Sequence, residues 1–268
     1  MTSRQVYSNE PLAEKQTSDK QTGNEPAMGT DLSARISSTC LLLKELSALG
    51  NDEKARHLAR FFKTGKGQYG EGDRFLGLPV PLTRSVARQH KDSSLATAEA
   101  LLQSEWHEAR LCALLIMAEK MKRAKADEAE LIYKTYLANT HRINNWDLVD
   151  LSAPQVVGKY LDDKPREILY ELASSPLLWD NRIAIVSTFA FIKKGYLDDT
   201  FALALRLIGH KHDLMHKAVG WMLREAGKRD FARLRRFVYE HVHEMPRTML
   251  RYAIEKFPED ERRAILRM

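Results

Sequence analysis

Cysteine is nearly missing from this chain. Two residues in 268, Cys40 and Cys112, are too few for a disulfide framework, and they fall in no CxxC spacing for zinc or redox work. Such sparing use points to a reducing, intracellular home, read as cytoplasmic and, in a bacterium, nucleoid-associated. Long apolar runs are missing too: none approaches the roughly 18–20 residues that a membrane span needs, so no membrane partner is expected. GxxxxGK[ST], HExxH and GxSxG do not occur, which removes the P-loop, zincin and nucleophile-elbow signatures. No cofactor or metal is expected. Strand-type alternation is nearly absent. Residues 1–30 lack the apolar h-region of a secretory signal, and Glu10, Glu14, Asp19 and Glu25 are out of place in an acid-poor transit peptide.

What is present is polar, charged and helical. The chain is 44% hydrophobic and 29% charged, with mean hydropathy −0.43, the profile of a soluble globular protein. Its length suits one large domain or two small ones. Residues 1–30 are rich in Thr, Ser, Gln, Glu and Lys and read as a disordered tail. Residues 31–268 read as a single α-helical repeat domain. Residues 201–268 hold 15 Lys and Arg against 9 Asp and Glu, a surplus equal to the +6 of the whole chain. A pI of 9.2 with its excess in the last quarter suits a polyanionic partner or, equally well, a solvated surface.

From about Leu32 onward, apolar residues recur at three- and four-residue steps, as in CLLLKELSAL and FALALRLI. The first helix is expected near Arg35. First helices expected near 165, 199 and 230 are followed by second helices near 178, 212 and 247, a period of roughly 31–35 residues. The expected fold class is therefore all-α, a curved HEAT-like helical-repeat solenoid whose second helices line one concave, basic face.

Two suggestive motifs have plainer explanations. Gly65-Lys66-Gly67-Gln68-Tyr69-Gly70 matches GxGxxG, but it follows a helical run and opens no helix, so a flexible inter-helix loop is the better reading. Lys63, Lys66 and Arg74 nearby can brush a phosphate backbone. His212 and His216 stand one helical turn apart with His210 beside them, but no third ligand with supporting carboxylates is evident, and a solvated face is preferred.

Three segments carry the functional signal: NNWDLVD (144–150), WDNR (179–182) and KAVGWMLR (217–224). Asn144 is a plausible N-cap, which places Asp147 in the first turn, where the helix dipole favours it. Trp146 and Asp150, four apart, project from one helix face. Lys217, Trp221, Arg224 and Lys228 form a stripe opposite Met215, Val219, Met222, Leu223 and Ala226. All of these lie on successive second helices and can converge. Two indoles, a carboxylate and arginines suit a cationic ligand beside a phosphate backbone. Trp106 and Trp179 lack such company and are assigned to packing.

At these residues the sequence resembles the AlkD-like DNA alkylation repair family, glycosylases built from HEAT-like repeats. The resemblance covers about residues 50–265 and runs through KTGKGQYGEGDRFLGLPVP, HEARLCAL, NNWDLVDLSAP, WDNRIAIVSTF, HKAVGWMLREAGKRD and RYAIEKFPEDERR. It implies a monomeric, monofunctional N-glycosylase of base excision repair, releasing purines alkylated at N3 or N7 from double-stranded DNA. Trp146, Asp150 and Trp221 match the family's active-site residues, and Arg182 matches a DNA-contacting arginine. Lys217, Arg224 and Lys228 would join Arg182 at the phosphates. The polar N-terminal stretch and the long glycine-rich loop depart from the pattern. The alternatives are a non-catalytic helical-repeat protein binding damaged or branched DNA, and a scaffold for an acidic protein.

Overall fold

The computed structural model describes residues 28–268, with side chains from residue 37 onward; residues 1–27, most of the expected tail, lie outside the described residues. The order of helices is α1 (Met28–Ala48), α2 (Asp52–Phe61), α3 (Val80–Gln89), α4 (Leu95–Leu102), α5 (His107–Met121) and α6 (Ala126–Ala138). Then follow α7 (Trp146–Ala153), α8 (Glu167–Leu172), α9 (Leu178–Ser187), α10 (Phe189–Ile192) and α11 (Asp198–Arg206). The chain closes with α12 (Asp213–Gly227), α13 (Phe231–His241), α14 (Arg247–Ala253) and α15 (Glu259–Ile265). No named strand occurs among the described residues, as the absence of period-two patterning predicts. The first helix begins seven residues before Arg35 and takes in three residues of the stretch read as tail.

Local chemistry accounts for many boundaries. Asn51, Ser94, His212 and Asp230 each cap the helix that follows by accepting a backbone N–H from its first turn, which satisfies a donor that the helix itself leaves orphaned. Pro79 and Pro81 start α3, where a missing N–H costs nothing. Pro154 acts differently. It has no N–H to give to the Asp150 carbonyl four residues back, and the end of α7 widens into a π-helical turn over Pro154–Gly158.

Packing makes the repeat visible. The helices α5, α7, α9, α12 and α14 lie side by side in that order, while α4 and α6 lean on α5, α8 on α9, and α11 and α13 on α12. The starts of α9, α12 and α14, at residues 178, 213 and 247, reproduce the expected period, and the architecture is an all-α helical repeat. A single cluster of buried side chains runs from Leu42 to Ile265. Every residue of α5 from His107 to Ala118 is buried, so α5 is the central helix of the first half. In α12, by contrast, Met215, Val219, Met222, Leu223 and Ala226 are buried, and the opposite side is left for the site. At Gly220 a side chain would collide with the Met249 carbonyl and with Tyr252; the glycine lets α14 close on α12 and brings Tyr252 beside Trp221.

Candidate active site

One cleft of about 480 Å³ gathers Trp146, Asp150, Arg182, Lys217, Trp221 and Arg224 from α7, α9 and α12, together with Phe61, Tyr69, Leu214 and Tyr252. Six of the seven residues singled out in the sequence thus share one space. The seventh, Lys228, caps the end of α12 outside the cleft and bonds Glu225 through its ammonium at 2.8 Å. Trp106 and Trp179 pack against the core, as assigned.

The N-cap of α7 is Asn145 rather than Asn144: the Asn145 side-chain oxygen accepts from Trp146 N at 2.9 Å, and Asn144 Oδ1 instead accepts from Arg110 at 3.2 Å. The helix therefore opens on Trp146. Because Trp146 and Asp150 are four apart, the indole and the carboxylate face the cleft together.

Asp150 is held by Arg182, whose Nε donates to Oδ1 and whose Nη2 donates to Oδ2, each at 2.8 Å; its Nη1 donates to the Leu214 carbonyl at 2.6 Å. Arg182 is only 5% exposed, and three of its five N–H donors are used inside the protein. Burial pushes the Asp150 carboxyl above the usual range, and the guanidinium pulls against that shift. The bidentate guanidinium favours the ionised carboxylate against that burial.

The stripe on α12 is not a bare row of cations. Lys217 pairs with Asp213 at 2.7 Å, Arg224 with Glu255, and Lys228 with Glu225. Charge counting could not show this, because Glu255 lies in the turn after α14 and joins Arg224 only through packing.

The aromatic walls carry no mark in the sequence. Phe61 ends α2, and Tyr69 sits in the glycine-rich loop, its ring edge-on to Trp179 at 6.3 Å and to His212 at 6.4 Å. That loop follows a helix and opens none at Gly70, as expected; it is a series of turns in which Gly67 N donates to Glu71 and Gly70 N to the Lys63 carbonyl. Arg74 lies over the Trp106 ring and pairs with Glu105. The three histidines are half-buried rather than solvated. His212 caps α12 through Nδ1, and His216 bonds the His210 carbonyl; no group of three metal-binding side chains occurs among the described residues.

Beneath Trp146 lies a second, apolar chamber of about 380 Å³, whose walls include Phe61, Phe62, Phe75, Leu78, Trp146 and Asp150. His107 forms part of it, with Nδ1 bonded to Asp73 at 2.7 Å and Nε2 to Asp147 at 2.8 Å. Asp147 thus does more than complement a dipole. Next to His107, Glu108 accepts the backbone N–H groups of Leu76, Gly77 and Leu78 at 2.8, 2.8 and 3.1 Å. Gly77 has φ +87°, a conformation that other residues seldom take.

A family model of DNA alkylation repair enzymes matches residues 42–257. No curated protein matches the chain. Among solved structures, one described as a predicted DNA alkylation repair enzyme from Enterococcus faecalis is similar in fold, with a TM-score of 0.64 and 18% identity over 78% of this chain and 97% of that one. No helix among the described residues is long and apolar enough to cross a membrane. With four-fifths of the chain matched, the protein belongs to the family of DNA alkylation repair enzymes, which makes it a DNA repair enzyme with DNA as its partner.

Proposed function

We propose that this protein is a monofunctional DNA glycosylase that hydrolyses the N-glycosidic bond of N3- or N7-alkylated purines in duplex DNA, acting as a monomer through a basic concave face. The observation that carries this reading is the half-buried Asp150, gripped through both oxygens by Arg182, in a cleft walled by Trp146, Trp221, Tyr69, Tyr252 and Phe61. Aromatic faces and one carboxylate attract a cation. A purine alkylated at N3 or N7 is a cation and already a good leaving group, so no strong general acid is needed.

The difficulty of the reaction lies at the sugar. As the bond from C1′ to the base nitrogen breaks, its electron pair leaves with the base and positive charge grows on the deoxyribose. Asp150 stabilises that charge and orients the water that adds to C1′, whose surplus proton passes to bulk solvent. Arg182 occupies two of the carboxylate's roughly four acceptor positions, so acceptor capacity remains for the water. The indoles of Trp146 and Trp221 each add about 0.5–2 kcal/mol of cation–π attraction. Lys217, Arg224 and Lys228 steady the phosphates, and the two unused N–H donors of Arg182 are what it retains for them.

The test is release of 7-methylguanine and 3-methyladenine from methylated duplex DNA by the wild-type protein. Release supports the glycosylase. A folded protein that binds this DNA and releases neither base returns the weight to the non-catalytic reading, which the closed Arg182–Asp150 pair also suits, since a structural ion pair has the same geometry.

A further inference from the structure

The imidazole of His107, at the start of α5, is 2% exposed and packs against the rings of Phe62 and Phe75, at centroid distances of 5.1 and 4.6 Å, which themselves stack 5.1 Å apart. Both of its nitrogens meet carboxylates, Asp73 at Nδ1 and Asp147 at Nε2. A neutral imidazole has one donor and one acceptor nitrogen, whereas ionised carboxylates only accept. Satisfying both therefore requires a proton on each nitrogen. Asp73 also binds Arg110 and takes a bond from Asn145, the cap of α7, at 3.3 Å. Phe62, tilted against His107, stacks on Trp146 at 5.2 Å with an interplanar angle of 24°. Asp147 follows Trp146 directly and precedes Asp150 by three residues in the same helix.

We propose that His107 is a positioning residue of the cleft: a buried imidazolium that clamps the first turn of α7 between Asp73 and Asp147 and so sets the direction of Trp146 and Asp150. The role in the reaction rests on the glycosylase reading above; the clamp itself does not. When the ring loses a proton, one carboxylate must face a nitrogen lone pair, and the first turn of α7 shifts on that side. The charged groups around the ring are Asp73 from the loop before α3, Glu108 and Arg110 from α5, Arg142 from the turn before α7, and Asp147 and Asp150 from α7. Burial disfavours the charged ring, yet Asp147 and Asp73 outweigh it and push its titration up to about 9.

The experiment uses the full chain and NMR of the His107 ring nitrogens and the Trp146 and Trp221 indole N–H groups between pH 6 and 10. Both nitrogens of His107 are expected to stay protonated through pH 8, and the Trp146 signal to move with the His107 titration while Trp221, on α12, does not. A ring with a bare nitrogen at pH 7, or a Trp146 signal indifferent to His107, overturns the proposal. In Asp147→Asn the ring titration is expected to fall by about 1–3 pH units, and the alkaline limb of single-turnover base release to fall with it while the far-UV circular dichroism spectrum is kept. A ring titration that moves without the rate limb refutes the catalytic part. Absence of base release at every pH refutes the glycosylase reading instead, and the NMR result then decides the clamp alone.

Discussion

Arg182 grips both oxygens of Asp150 in a two-pronged ion pair that ties α9 to α7, and the same guanidinium reaches on to the Leu214 carbonyl of α12. Three successive repeats thus meet at one side chain. At the meeting point burial pushes the carboxyl's titration up and the guanidinium opposes that shift.

Asp150→Asn is expected to lower single-turnover base release by about 10²–10³, the scale of removing one group that stabilises transition-state charge, while the Kd for methylated DNA changes far less. The substitution also leaves a buried guanidinium without its anion, so Tm falls. Asp150→Asn combined with Arg182→Met should regain Tm without regaining rate. Equal losses in binding and rate would remove Asp150 from the chemistry.

Arg182→Met deprives Asp150 of the influence that opposes burial, and the Asp150 titration moves further up. An acid whose folded-state titration lies above its unfolded value costs stability as pH rises above the unfolded value, and the cost grows until the folded value is passed. The variant should therefore lose stability progressively from about pH 4 upward. Base release should be weaker toward acid pH and recover in part as pH rises. A rate deficit that does not vary with pH would show that Arg182 acts through something other than the charge of Asp150.

For His107 the sign is opposite. Its folded-state titration, near 9, lies above the ordinary 6.5, so its stabilisation is complete below about 6.5 and is lost as pH rises through about 9, at most about 3 kcal/mol. Thermal melts of the wild type between pH 7 and 9.5 should show a falling Tm, and His107→Gln should flatten that slope.

Affinity for duplex DNA should weaken with salt, but less steeply than a count of the C-terminal charge surplus suggests. Six neutralised phosphates correspond to a slope of log K against log[salt] near about −5. Lys217, Arg224 and Lys228 already hold Asp213, Glu255 and Glu225, and a shallower slope is expected. Glu255→Gln, which leaves Arg224 only its longer pairing with Glu225 at 3.4 Å, should steepen it; an unchanged slope would take Arg224 out of the interface.

Much of this molecule is legible in its sequence. Apolar steps of three and four residues mark the helices, and caps such as Asp230 and prolines such as Pro81 mark their starts within about two residues. The exception is α1, where a gradual change of composition offers no boundary. The WDLVD and GWMLR segments place Trp146, Asp150 and Trp221 on equivalent helices because a local period of 3.6 fixes which residues share a face. The aromatic walls are a different matter. Phe61, Tyr69 and Tyr252 belong to three separate elements, and nothing near any of them marks it as part of a cleft.

The helical repeat, the inward face of each second helix and the residues offered there follow from local sequence, because they depend on neighbours within one or two turns. Tertiary structure decided the electrostatics. Arg182 lies 32 residues from Asp150, His107 40 from Asp147 and Arg224 31 from Glu255, and in each pair one repeat meets the next. Whether an arginine reaches for phosphate or holds a carboxylate depends on which charge is nearest once water is excluded. That distance is set by helix packing and by close approaches such as the one at Gly220.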